Sequence, residues 1–223
     1  MITPMERPHL ELSEEPLGFD PAAAEPIVAL LDTVPAPPGR PPPLLRRSDL
    51  DRDYGPPTLA LIDRVLHIGG NPPDEPPVDR IELPVAGLEA SAWLSPATMA
   101  AWGQCADAMR ADLGRAALVS SGYRSPVFQA MLIVWLANRS GDLAAALGKA
   151  HPPSRSEHCL PVVHAIDLTT EGAPPDAPEH FAATPEYRWM RERAAEFGFV
   201  ESYPADTTDP VGPEPWHWRA PAA

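Results

Sequence analysis

The sequence predicts an α+β domain, a small sheet flanked by helices, behind a proline-rich N-terminal extension. Three observations carry this reading. Short apolar runs of strand length alternate with longer stretches whose apolar residues recur at helical spacing. Turn residues separate the two kinds of segment. The 32 prolines of the 223-residue chain concentrate in its first ninety positions.

Residues 1–80 form the extension. Runs such as Pro35-Ala36-Pro37-Pro38 and Pro41-Pro42-Pro43 lack amide donors and fix φ, which predicts a wrapping arm or linker without continuous helix or central strand. The compact unit is expected over residues 81–223. Ile81 to Leu94 reads as one or two strands leading into it. Ser95-Pro96 reads as an N-cap followed by proline at the first helical position, and Met99, Trp102, Cys105, Ala106 and Met109 form the buried stripe of that helix.

Ala116 to Ser120 is a short apolar strand ending in the turn residues Ser121-Gly122, so Tyr123-Arg124-Ser125 is delivered to a strand end, where functional side chains often lie. A second helix is expected from Pro126 to about Asn138, with Phe128, Met131, Leu132 and Trp135 inward, followed by a loop through Gly141 and Gly148. Val162 to Leu168 reads as a central strand carrying Asp167. Pro185 to Phe197 has amphipathic helical spacing, and Gly198 to Tyr203 reads as the next strand. After a loop rich in proline and aspartate, Trp216-His217-Trp218 is expected as a last strand, with His217 on one face and both tryptophans on the other. No internal repeat is present.

The net charge of −14 argues against a nucleic-acid partner, because such binders neutralise phosphates with lysine and arginine clusters. Arg124 and Arg219 are the cations available for a locally positive site. Two cysteines, Cys105 and Cys159, are too few for a disulfide scaffold or a four-cysteine zinc site. No segment reaches the roughly 20 apolar residues needed to cross a bilayer, and residues 1–15 have no secretory pattern. The expectation is a soluble protein, cytoplasmic as synthesised, with periplasmic or cell-wall action through a separate export route. No motif specifies an oligomeric state.

Chemistry concentrates in Ser156-Glu157-His158, Asp167 and Glu214-Pro215-Trp216-His217-Trp218-Arg219. Two histidines and a carboxylate hold zinc with a fourth position open to water, and a second, unliganded carboxylate takes that water's proton. His9, His67, His151 and His180 are read instead as surface or hydrogen-bonded side chains. Trp216 and Trp218 are read as packing residues.

Together, and in this order, Ser121-Gly122-Tyr123-Arg124-Ser125, Ser156-Glu157-His158 with Ala165-Ile166-Asp167-Leu168, and Glu214-Pro215-Trp216-His217-Trp218 resemble the zinc D-alanyl-D-alanine peptidases. That family includes VanY-like carboxypeptidases, VanX-like dipeptidases and related phage endolysins. The resemblance covers about Leu94 to Arg219. It implies a mostly antiparallel sheet of the Hedgehog/DD-peptidase kind, one catalytic Zn²⁺ bound by His158, Asp167 and His217, and Glu214 as general base and acid. It further implies that Arg124 faces the substrate and stabilises the oxyanion, with Ser156 and Tyr123 adding substrate hydrogen bonds.

One departure stands out. The family pattern runs Ser-x-His-x-x-Gly-x-Ala-x-Asp, whereas here Cys159-Leu160-Pro161-Val162-Val163-His164 separates His158 from Ala165, two residues more and without the glycine. Aligned from Asp167, Leu160 falls on the ligand position. Aligned from Ser156, a bulge absorbs the excess, and this registration is adopted because Ser156-Glu157-His158 matches intact and bulges occur beside active sites. His164 and Cys159 are the alternative donors. His164 lies three residues from Asp167, on the opposite face of a regular strand, and the side chains of Cys159 and His158 diverge on an extended chain.

The function expected is a zinc-dependent D-alanyl-D-alanine carboxypeptidase acting on peptidoglycan stem peptides. A D-Ala-D-Ala dipeptidase, an endolysin-type endopeptidase, and a non-catalytic wall-binding module with a degenerate zinc site are the alternatives.

Overall fold

The computed structural model describes residues 45–48, 50, 54–73, 81–84, 91–160, 165–173 and 178–220. Two antiparallel sheets organise it. β1 (Ile81–Pro84) pairs with β2 (Ser91–Leu94), and four strands, β3 (Leu118–Ser121), β4 (Ala165–Thr169), β5 (Val200–Glu201) and β6 (His217–Arg219), form a second sheet in the order β3-β4-β6-β5. All pairings in it are antiparallel. Tyr123 joins the sheets by donating its amide proton to the Trp93 carbonyl at 2.7 Å.

Helix α1 (Pro56–Leu66) lies in the region expected to hold no continuous helix. Pro56 and Pro57 occupy its first turn, where amide protons have no intrahelical acceptor and the fixed proline φ is already helical. Leu61, Ile62 and Val65 are fully buried in a cluster shared with α3 (Pro126–Ser140) and the short α4 (Leu143–Leu147). The described part of the extension is therefore docked. Residues 1–44 lie outside the described structure, and with them the longer proline runs.

α2 (Pro96–Leu113) begins as its sequence predicts, the Ser95 hydroxyl accepting the Thr98 amide at 3.1 Å. It ends at Gly114, whose φ of +75° suits glycine. Trp102, Cys105, Ala106 and Met109 pack with Val119, Ile166, Leu168 and Trp218 of the sheet. Trp189 and Met190 of α5 (Pro185–Arg193) complete this second core. Each fully buried apolar side chain there contributes about 1.5–3 kcal/mol relative to exposure.

The alternation of strand residues divides the sheet. Ile166, Leu168 and Trp218 face the core, while Asp167 and His217 point to the other face. Trp216 precedes β6 yet packs against the same core.

Candidate active site

The site is assembled by strand register. Asp167 on β4 pairs with His217 on β6 and, on its other side, with Ser121 at the end of β3, where the ladder shifts register after Val119. Asp167 is thus placed between the two motifs that the sequence separates by dozens of residues.

His158 reaches the same point from a turn. The Cys159 amide donates to the Ser156 carbonyl at 2.8 Å, and the Ala165 amide donates to the Glu157 carbonyl at 3.2 Å. The Glu157 carbonyl and the Ala165 amide are thereby joined, and residues 161–164 between them lie outside the described structure. Cys159 is buried and directs its thiol toward the Ser125 carbonyl, 4.0 Å away. Burial pushes that thiol up to about 12. His164 lies outside the described residues.

Ring nitrogens are assigned by their partners. His158 Nδ1 lies 2.7 Å from the Gly122 carbonyl. A carbonyl only accepts, so Nδ1 carries a proton and Nε2 presents its lone pair to the site, 3.2 Å from Asp167 Oδ1. Gly122 is required there by crowding: a Cβ would stand 2.4 Å from the Trp93 carbonyl oxygen and 2.6 Å from Leu94 Cδ2. His217 Nδ1 lies 3.0 Å from the same Asp167 Oδ1. One donor atom from each of His158, Asp167 and His217 falls within 4.8 Å of the others, and all three residues are buried. Two imidazoles and a carboxylate at this spacing suit a zinc ion.

Arg124 belongs to the same cluster. Its amide donates to the His158 carbonyl at 2.9 Å, Nη2 lies 2.6 Å from Asp167 Oδ2, and Nε donates to Ser121 Oγ at 3.1 Å. Glu214 flanks the cluster, with Oε2 3.9 Å from His217 Nδ1. A turn in which the His217 amide donates to the Glu214 carbonyl at 2.9 Å fixes their relation. Ser156 is buried in the His158 turn, and Tyr123 is buried beside Arg124 in sequence, 2 % exposed.

The charges of these groups follow from their surroundings. Burial alone would raise the Asp167 carboxyl, but the His158 ring and the Arg124 guanidinium hold it well below the carboxylate range. Burial, reinforced by Arg124, lowers His158 to about 4. Burial would likewise lower His217, yet its hydrogen bonds to Asp167 and Glu157 carry it up to about 9. Burial lifts Glu214 to about 7, the value suited to a base working near neutrality.

The VanY family model, D-alanyl-D-alanine carboxypeptidase, matches residues 91–221, more than half of the chain. The chain belongs to the VanY family. A D-alanyl-D-alanine carboxypeptidase of Enterococcus faecalis (strain ATCC 700802 / V583) is 33% identical over 123 residues, 51% of this chain and 42% of that protein. The chain thus spans less than half the length of this curated VanY-type relative. Among solved structures, the LdcB LD-carboxypeptidase matches with a TM-score of 0.56 at 23% identity, covering 67% of this chain and 71% of that one, and shares the fold. VanYB in complex with D-alanine-D-alanine matches at 27% identity with a TM-score of 0.47, over 67% of this chain and 81% of that one.

Glu157, which has no expected role within Ser156-Glu157-His158, also belongs to the site. Its Oε2 lies 2.9 Å from His217 Nε2. Gln129, unremarked in sequence, approaches Arg124 Nη1 at 3.5 Å and donates to the His151 carbonyl at 2.8 Å. An acidic residue next to an expected histidine ligand was the available signal for Glu157, since histidine ligands regularly donate their second N–H to a carboxylate. His151, read as a surface or hydrogen-bonded side chain, is buried with Nε2 3.0 Å from Asp209.

Proposed function

We propose that this chain is a zinc-dependent D-alanyl-D-alanine carboxypeptidase that releases the terminal D-alanine of peptidoglycan stem peptides, with residues 81–223 as the catalytic unit. Family membership supports the reaction class. The observation that carries the reading is the convergence of His158, Asp167 and His217 beside a carboxylate, Glu214, whose pKa burial raises to about 7. In this reading His158 Nε2, an Asp167 oxygen and His217 Nδ1 hold the metal.

A zinc ion held there would supply Lewis acidity and acidify a water to a pKa of about 7. Glu214 takes the proton of the attacking water and returns it to the leaving amine of D-alanine. Arg124 keeps Asp167 ionised and presents positive charge to the oxygen that becomes anionic as the carbonyl is attacked. Ser156 and Tyr123 are the proposed further hydrogen-bond partners of the peptide.

The test is metal analysis of the purified protein, followed by amino-acid analysis of a stem pentapeptide and of D-Ala-D-Ala incubated with it. One zinc per chain and free D-alanine from the pentapeptide support the proposal. A zinc-loaded protein that cleaves only the dipeptide refutes the carboxypeptidase assignment, and a protein that takes up no zinc refutes the metal chemistry.

A further inference from the structure

We propose that Glu157 is a positioning residue that selects the His217 tautomer able to bind metal. This rests on the zinc reading above and extends it to a residue that is neither a ligand, the base nor a substrate contact in that reading.

His217 has one nitrogen on each side of its ring. Nδ1 faces Asp167 at 3.0 Å, and Nε2 faces Glu157 Oε2 at 2.9 Å. A neutral imidazole carries one proton, and only the tautomer with that proton on Nε2 offers a lone pair to the cluster. An ionised carboxylate is solely an acceptor, so Glu157 rewards the Nε2–H form. A proton on Nδ1 would instead set the Nε2 lone pair against a carboxylate oxygen and block the ligand position.

Glu157 is itself fixed. Ser202 donates its hydroxyl to Oε2 at 2.6 Å, and Arg219 Nη1 lies 3.6 Å from Oε1. The turn closed by the Cys159 amide and Ser156 carbonyl is what lets consecutive residues serve one ring. On an extended strand Glu157 and His158 would point apart, whereas here the His158 ring stands 4.8 Å, centroid to centroid, from the His217 ring while Glu157 reaches its far nitrogen. Ser202 and Arg219 follow β5 and end β6, so three elements converge on the orientation of one side chain.

The experiment compares the full chain with Glu157→Ala, Glu157→Gln and Ser202→Ala. Zinc affinity is read by chelator competition, and the His217 ring protons are read by ¹⁵N-histidine NMR of the zinc-loaded proteins. Loss of such an outer carboxylate typically weakens metal affinity about 10–100-fold, and this is the loss expected for Glu157→Ala. Glu157→Gln keeps an acceptor and should recover part of it. The hydrogen-bonded Nε2–H resonance of His217 should be present in the parent and shifted or lost in Glu157→Ala. If Glu157→Ala does not fold, Glu157→Gln and Ser202→Ala carry the test, each with weaker zinc binding and a displaced Nε2–H signal. Zinc affinity within twofold of the parent, or an unchanged Nε2–H resonance in the folded variants, overturns the inference alone. A parent that binds no zinc overturns the zinc reading and this inference together.

Discussion

Ala165 donates its amide proton to the carbonyl of Glu157, and eight positions of sequence collapse into one hydrogen bond of 3.2 Å. This contact separates the spacing of the motif from its geometry. His158 Nε2 lies 3.2 Å from Asp167 Oδ1 although the two residues stand further apart in sequence than in the family pattern.

The first prediction follows directly. His158→Ala should lose zinc, whereas His164→Ala should retain it, as measured by metal analysis after dialysis. Retention of one zinc per chain by His158→Ala would assign the ligand to another residue.

Glu214→Gln should keep zinc while turnover falls about 10²–10⁴-fold, the usual contribution of a general base. Glu214 must be ionised to accept a proton, so activity should fall as pH drops through its pKa. That value is about 7 in the metal-free protein, and a neighbouring cation lowers it, which places the acid limb of kcat/KM below about 7. A limb unchanged in Glu214→Gln would remove this residue from the proton transfer.

Arg124→Ala removes one partner of a buried ion pair. Stranding the other partner typically costs about 3–5 kcal/mol, so urea unfolding of the metal-free variant should show a loss of that size. The loss should be smaller with zinc, which compensates Asp167. Turnover should fall about 10²–10³-fold, as for removal of one oxyanion donor, with kcat affected more than KM.

The stability of the metal-free protein should fall on the alkaline side, while Glu214, raised from 4.5 to about 7, costs stability as pH rises between those values and so opposes His158 on the acid side. His217 has a folded pKa of about 9, above its unfolded value, so its stabilisation is full below pH 6.5 and is lost as pH rises through 9. His158, lowered to about 4, is neutral in the folded state while the unfolded chain takes up a proton, so its contribution declines as pH falls from 6.5 toward 4. Asp167 is depressed below 3.8, and its contribution disappears as pH falls through that lower folded value. Urea midpoints in chelator across pH 4–10 check this, and His217→Gln should flatten the alkaline side. Zinc uptake near pH 7.5 should release a proton from His217, detectable by calorimetry in buffers of different ionisation enthalpy.

Ile62→Ala should cost about 2–5 kcal/mol, because Ile62 is fully buried in the core that α1 shares with α3. A loss below about 1 kcal/mol would mean that α1 contributes little to the folded unit.

The helices and the site motifs were legible because their signals are local. Ser95-Pro96 and Ser125-Pro126 each join a capping hydroxyl to a proline in the first turn, and both helices start there. Strand lengths were less legible. Gly198 to Tyr203 yields only Val200–Glu201, since among the described strands β5 pairs with β6 alone, itself three residues long. Pro185 to Phe197 divides after Arg193 into a helix and a 3₁₀ turn closed by Gly198 with φ +83°. α1 was missed because prolines were weighed as breakers without regard to position. The contact of Glu157 with His217 spans sixty residues and depends on a turn where an extended chain was assumed.

The pairing of Asp167 with His217 has a consequence for how this chain tolerates change. Ile166 and Trp218 occupy the neighbouring rung of the same ladder, so sliding one strand by a single residue would exchange oily and ionisable side chains between the two sides. Durability and chemistry are written on alternate letters of one short text. A mispaired molecule would separate Asp167 from His217 altogether, so the cluster is either assembled or absent, with no half-formed version between.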